Sequence, residues 1–304
     1  MRLISYRKAG EDAIGVRGDD GVVDLAAAQA ARGSRPLPTE MPELLALGEE
    51  GLAETRAALE YAAGRPELAA TDYELLPVVP WPPKVICVAR NYGAHAKEAN
   101  LEVLEYPNLF IRFPRSLIAA GDPVIVPEVS DQVDWEAELA VVIGRPGKHV
   151  SQADALDYVA GYALFNDVSI RDWQLRVKGG QFGAGKNFDG SGPLGPDLVT
   201  KDEVGDPSDL AISLSVNGVT KQESSTAEMI FSVPVLIEFI TKFTTLEPGD
   251  VIATGTPSGV GHFRQPPEYL KPGDVVEMEI ERVGRQSNPV VAEAAVPSAE
   301  AYAA

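Results

Sequence analysis

Hydrophobic and polar positions along this chain follow two regimes. Over residues 1–24, short apolar blocks (Leu3-Ile4-Ser5-Tyr6, Ala13-Ile14-Gly15-Val16, Val22-Val23) are separated by polar turns such as Asp19-Asp20-Gly21, which predicts two or three short strands. Residues 25–70 change to helical composition, with one Ala-rich helix over 26–31 stopped by Gly33 and another over 52–63 stopped by Gly64-Arg65-Pro66. The Pro-rich stretch 77–83 reads as an extended linker between a small N-terminal α+β unit, residues 1–75, and a main domain, residues 80–293. There, apolar blocks of strand length dominate: 84–88, 108–114, 124–126, 159–165, 251–253 and 275–283. Residues 210–216 and 219–223 around Asn217-Gly218 predict a hairpin with a type I′ turn. Helical stretches are few: an N-cap signal at Ser151-Gln152-Ala153-Asp154, residues 170–178, and residues 225–243. The Ala/Glu-rich tail, 294–304, is predicted to be disordered. The pattern is that of a β-rich α+β protein and lacks the strand–helix alternation of a doubly wound parallel sheet.

One block breaks the apolar rule. Asp134-Trp135-Glu136-Ala137-Glu138-Leu139-Ala140-Val141-Val142-Ile143 reads as a buried strand ended by Gly144 and Pro146, yet carries two Glu at its head. Positions i and i+2 of a strand share a face, so the two carboxylates sit about 6–7 Å apart. Unless protonated or bridged by a cation they repel. Glu136 and Glu138 are therefore candidate ligands of a divalent metal, the alternative being a solvated strand face at a sheet edge.

Charge and composition narrow the chemistry. A net charge of −19 argues against a nucleic-acid or anionic-membrane partner. No apolar run approaches the roughly 18–20 residues that span a bilayer, and the N-terminus shows no signal-peptide core. The single Cys87 lies in an apolar strand, excludes an internal disulfide and fits a reducing cytoplasm. With one Cys and three His, a Cys/His zinc site is disfavoured, so any metal should be hard and oxygen-bound.

Three further stretches carry candidate chemistry. His95 and Glu98 stand i and i+3 on a short helix after Asn91-Tyr92-Gly93-Ala94, where a carboxylate can fix the imidazole tautomer and raise its basicity; a surface helix with an incidental His is the plainer alternative. Asp167 follows the apolar run 159–165 at a strand end, where loop-facing ligands are often presented. Residues 179–189 form a Gly-rich loop presenting Lys186, without the spacing of a phosphate-binding loop.

Taken in order, these segments resemble the fumarylacetoacetate hydrolase family over about residues 80–293. The motifs are Asn91-Tyr92 with His95-x-x-Glu98, Glu136-x-Glu138-Leu139, Phe165-Asn166-Asp167, Gly185-Lys186-x-Phe188-Asp189 with Pro193-Leu194-Gly195-Pro196, the Val-Asn-Gly hairpin, Leu246-x-Pro248-Gly249-Asp250, Thr254-Gly255-Thr256-Pro257 with Gly259-Val260-Gly261, and Lys271-x-Gly273-Asp274. The resemblance implies packed, mostly antiparallel sheets rolled around the active site, usually in a homodimer. It implies Mg²⁺, with Mn²⁺ or Ca²⁺ as substitutes, on Glu136, Glu138 and Asp167. The namesake enzyme adds a fourth carboxylate before its His; residues 84–98 contain no Asp, which places the chain with the three-ligand bacterial members. Arg112 stands where many members have Lys, and would either read a substrate carboxylate or face solvent.

The implied substrates are small keto acids. The first expectation is hydrolysis of a carbon–carbon bond in a β-diketo acid such as an acylpyruvate, through a metal-chelated enolate. His95, oriented by Glu98, would activate water, and Lys186 would stabilise the developing negative charge. Thr256, and less directly Tyr92 and Gln181, would bind substrate. The same residues would also serve decarboxylation of oxaloacetate-like acids or keto–enol isomerisation. A non-catalytic binding member is the distant alternative.

Overall fold

The computed structural model describes residues 1–18, 21–100, 102–175 and 181–295. The turn at Asp19-Asp20, the part of the expected helix beyond Leu175, Gly179-Gly180 and the tail from residue 296 lie outside the described residues. Among those described, an eleven-stranded sheet runs in the order Gly21–Asp24, Glu11–Gly18, Arg2–Lys8, Gly192–Thr200, Val159–Asn166, Ala137–Ile143, Val251–Ala253, Val85–Ala89, Asn108–Arg112, with Glu74–Leu75 and Leu117–Ile118 paired off this path. Most pairings are antiparallel; Val251–Ala253 runs parallel to Val85–Ala89. A second sheet of five strands runs Val219–Ser225, Ala211–Val216, Val275–Ile280, Gly284–Ala292, Val124–Val126. The sheet-rich α+β class predicted above is the one observed.

The glutamate strand shows why both of its faces are apolar. Leu139, Val141 and Ile143 join a core shared with Ile212, Leu214 and Met278 of the second sheet. Ala140 and Val142, on the opposite face by the period of two, join a core with Met41, Leu44 and Leu45 of the N-terminal helices. Glu136 and Glu138 share that second face. One side of this strand thus passes from carboxylates to helix-covered core within two residues.

Several elements differ from the sequence expectation, each for a local reason. Residues 192–200 form a strand that Pro193, Gly195 and Pro196 disguise; its register with Val159–Asn166 shifts between Phe165↔Leu194 and Tyr162↔Val199, so an irregularity absorbs the missing proline donors. Gly161 permits this approach, because a Cβ there would lie 2.2 Å from the Val199 carbonyl oxygen. The stretch 77–83 is docked rather than free: Val78 and Val79 are fully buried, and the Val78 N–H donates to Leu194 O at 3.1 Å. Residues 225–243 divide into a short 3-10 turn and a helix, Val233–Phe243, with Pro234 in its first turn, where a proline costs no helical hydrogen bond. The N-cap signal near Ser151 opens only a 3-10 turn, Ala155–Tyr158. Residues 182–186 are a short helix rather than part of a loop, and the helix Met41–Ala46 and strand Gly284–Ala292 went unpredicted.

Candidate active site

The carboxylates are assembled by strand register. Ala137 pairs with Asn166 across the antiparallel ladder, so Asp167 stands opposite Glu136, and its N–H donates to Glu136 O at 2.9 Å. Residues directly opposite in such a pair share a face, as do Glu136 and Glu138 along the strand. All three side chains therefore converge, with one ligand oxygen from each inside a 4.8 Å span, and all are buried. They line a cavity of about 490 Å³.

Buried carboxylates need partners. Lys186 lies almost wholly buried between two of them, its Nζ 2.7 Å from Glu136 Oε2 and 2.6 Å from Asp167 Oδ2. Arg112 holds the other Asp167 oxygen, Nη1 to Oδ1 at 2.5 Å, and donates to Ser191 Oγ at 2.6 Å. Arg171 Nη2 lies 2.7 Å from Glu136 Oε1, while its Nε donates to Asp134 Oδ2 at 2.8 Å. Glu138 is held differently, accepting from the Gly255 N–H at 2.8 Å.

These partners set the ionisation. Burial works to raise the Glu136 carboxyl, but the charges of Lys186 and Arg171 outweigh it and hold the group at about 2. Glu138 goes the other way, pushed well above the ordinary carboxylate range by burial and then by Asp167 and Glu136. Burial alone would lower Lys186; Asp167 and Glu136 overcome it and raise the group, so this lysine is a fixed cation and not a base. Arg171 is likewise raised, Asp134 and Glu136 outweighing its burial.

The dyad comes from the opposite wall. Helix Gly93–Glu98 places His95 Nδ1 3.4 Å from Glu98 Oε2, and His95 lines the cavity. Both Glu98 oxygens accept from the Gly259 N–H, at 3.1 and 3.2 Å. Gly259 has φ 104°, and a Cβ there would meet the Lys221 carbonyl oxygen at 2.2 Å, so only glycine brings this N–H to Glu98. The same loop is anchored by Asp134, whose carboxylate accepts from the Gly261 and His262 N–H groups at 2.7 and 2.9 Å. Asp134 thus holds both the loop behind the dyad and the arginine beside Glu136.

The remaining candidates separate. Thr256 lines the cavity, and its Oγ1 accepts from Gln222 Nε2 at 2.8 Å, which leaves its own hydrogen to be donated inward. Tyr92 is buried outside the lining; burial and then Glu138 raise its phenol, whose oxygen has no hydrogen-bond partner among the described residues. Gln181 is exposed at the cap of helix Phe182–Lys186 and is not part of the lining. Arg112 meets neither alternative considered for it: it is fully buried, outside the cavity wall, and engaged with Asp167. Sequence reasoning missed Asp134 and Arg171. The available signal was Arg171 at the first position of helix Arg171–Leu175, where the helix dipole disfavours a cation and a carboxylate partner is required.

A divalent cation fits this donor set. The ligand atoms are hard carboxylate oxygens on one face, suited to Mg²⁺, Ca²⁺ or Mn²⁺. Four buried carboxylates (Asp134, Glu136, Glu138, Asp167) face three buried cations (Arg112, Arg171, Lys186), so ionising all four would leave one negative charge in excess, and Glu138 is the group without an ion-pair partner among the described residues.

Fold and site together define a class, that of enzymes acting on small molecules, here with a carboxylate triad that could hold a metal. The chain belongs to the fumarylacetoacetate hydrolase family: residues 84–291 match the family described as Fumarylacetoacetate (FAA) hydrolase C-terminal. It is 44% identical over 295 residues to a mitochondrial oxaloacetate tautomerase of Xenopus laevis, covering 96% of this chain and 90% of that one. It is 48% identical over 255 residues to one of Homo sapiens, covering 84% and 81%. Among solved structures, fumarylacetoacetate hydrolase from Exiguobacterium antarcticum aligns with TM-score 0.80 and 34% identity over 96% of this chain and all of that one. Maleylpyruvate hydrolase from Sphingobium in complex with manganese(II) and pyruvate aligns with TM-score 0.75 and 30% identity over 96% and 99%. The cytoplasmic location expected from Cys87 is overturned by these relatives, which are named as mitochondrial. A lone buried thiol indicates a reducing compartment without distinguishing one from another.

Proposed function

We propose that this protein is a divalent-cation-dependent keto–enol tautomerase acting on oxaloacetate. The observation that carries it is one cavity joining the carboxylate triad, the fixed cation Lys186 and the His95–Glu98 pair, in a chain 44% identical to an oxaloacetate tautomerase over nearly its whole length. This displaces carbon–carbon hydrolysis as the leading expectation. Isomerisation needs only that a proton move from one substrate atom to another, which one imidazole can do as base and then as acid.

Glu136, Glu138 and Asp167 would hold Mg²⁺ or Mn²⁺, which would supply Lewis acidity to the site. With Nδ1–H donating to Glu98, Nε2 would be the basic nitrogen available to the cavity that His95 lines. In the keto-to-enol direction Nε2 takes a proton from C3 and, as the imidazolium, returns it to the keto oxygen; in the reverse direction it takes the enol hydroxyl proton and returns it to C3. Lys186 and Arg171 remain charged and offset the negative charge that develops between these transfers. Thr256 donates its hydroxyl hydrogen to a substrate oxygen. Arg112 and Asp134 act from behind, holding Asp167 and Arg171 in place. Residues 80–293 form the catalytic part, residues 1–75 a docking unit that extends the main sheet with its strands and covers one face with its helices, and the working unit is a homodimer, which a monomer mass in light scattering would contradict.

Hydrolysis of an acylpyruvate is the second reading, favoured by apolar cavity walls at Val88, Phe110, Phe182 and Phe263. Protein treated with EDTA should convert enol-oxaloacetate to the ketone no faster than buffer alone, and Mg²⁺ should restore the acceleration. Fission of acylpyruvates without tautomerisation would give the site to the second reading, and CO₂ release from oxaloacetate would point to decarboxylation. His95→Gln should slow tautomerisation by about 10²–10⁴-fold with Mg²⁺ affinity unchanged; an undiminished rate would remove His95 from the mechanism.

A further inference from the structure

We propose that Arg90 reads the far carboxylate of a keto dicarboxylic acid whose keto-acid head is held at the carboxylate triad. The proposal rests on the keto-acid reading above and adds what selects the other end of the substrate. Three arginines and lysines line the cavity among the described residues: Arg90, Arg171 and Lys186. Lys186 and Arg171 are each bound to acidic groups of the cluster, and their charge is neutralised there. Arg90 has no ion-pair or hydrogen-bond partner among the described residues, and it is half-buried rather than free in solvent.

Its position is also built. Arg90 directly follows strand Val85–Ala89 and has φ 59°, a left-handed conformation that costs a non-glycine residue free energy. The next residue pins the turn: the Asn91 side chain donates to Phe231 O at 2.9 Å and Thr254 O at 2.8 Å, and accepts from the Phe231 N–H at 2.7 Å. The backbone carrying the guanidinium is thus held in an uncommon conformation at the cavity wall. Beside it the lining is apolar (Val88, Ala89, Phe110, Phe182, Phe263), which leaves a second anionic group of a substrate few polar partners other than Arg90 and strengthens that pairing by excluding water. In a chain of net charge −19, an unpaired cation also offsets the general repulsion of a dianion.

The test compares two ligands of equal length, 2-oxoglutarate and 2-oxopentanoate, which differ in carrying a carboxylate or a methyl at the far end. Their binding to Mn²⁺-loaded full-length protein is measured by calorimetry, without turnover. Wild type should prefer the dicarboxylate by about tenfold or more, the range of a charge-assisted hydrogen bond. Arg90→Met should weaken 2-oxoglutarate to the level of 2-oxopentanoate and leave the latter within twofold, and Arg90→Lys should restore part of the preference. No preference in wild type, a preference that survives in Arg90→Met, or no binding of either ligand would each overturn the proposal. If oxaloacetate is not tautomerised, the functional reading fails, while this binding comparison still decides the role of Arg90.

Discussion

Glu138→Gln should abolish binding of Mg²⁺ while making the metal-free protein more stable. In the metal-free protein Glu138 is buried beside Asp167 and Glu136, and its carboxyl is pushed well above the ordinary range. A group whose folded value exceeds its unfolded value contributes stability below the unfolded value and loses it as pH rises through the folded one. At neutral pH its charge is therefore a cost, and the neutral amide removes it. The advantage of the variant over metal-free wild type should fade as pH falls below about 4, where unfolded Glu is also protonated. With saturating Mg²⁺ the order reverses. Cation at a hundred times its Kd stabilises wild type by about 2.7 kcal/mol, roughly 5 °C in Tm for a chain of this size, and the variant should show none of it. Tautomerisation should fall by about 10³-fold or more. A Mg²⁺-dependent Tm rise retained in Glu138→Gln would take this residue out of the metal site.

Lys186→Met should separate metal affinity from turnover. The substitution leaves Glu136 Oε2 and Asp167 Oδ2 without the ammonium now 2.7 and 2.6 Å away. Breaking a buried pair from one side costs about 3–5 kcal/mol, so the metal-free variant should unfold well below wild type. The same exposed carboxylates should bind Mg²⁺ more tightly and recover part of that loss. Turnover should nonetheless drop about 10²–10³-fold, the scale of removing one fixed charge from an anion-stabilising site. Weaker Mg²⁺ binding in this variant would show that Lys186 organises the ligands more than it competes with the cation.

The Glu pair was legible because a strand's period of two makes two carboxylates on one face an anomaly that demands a partner. Asp167 was legible as a strand-end acid. That it stands opposite Glu136 was not, because register between distant strands is set by packing across the sheet and not by either sequence alone. Asp134 and Arg171 escaped, and Arg112 was singled out for the wrong role, for a related reason: each orients another group, so neither periodicity nor motif spacing marks what it does. The strand Gly192–Thr200 escaped because Pro and Gly argue against a strand wherever the ladder can tolerate no irregularity, and here it does. The motifs identified chemistry around an enolate more firmly than the bond involved, because the same cation site, base and lysine serve both hydrolysis and tautomerisation.

Strand Arg2–Lys8 pairs with Gly192–Thr200 at Arg2↔Val199 and Leu3↔Leu198, and Gly192–Thr200 in turn flanks the strand Val159–Asn166 that leads into Asp167. Residues 84–291 are thus the part shared as a family, yet they do not complete their own sheet in this chain. Any natural or engineered exchange of the first 75 residues would have to bring a replacement edge strand in the same register. Without one, Gly192–Thr200 would become a long open edge with Leu198 and Leu194 uncovered beside it, and the catalytic part would pair with copies of itself. The N-terminal segment is thus a structural half-partner, and its loss should be felt first as insolubility and only then as lost activity.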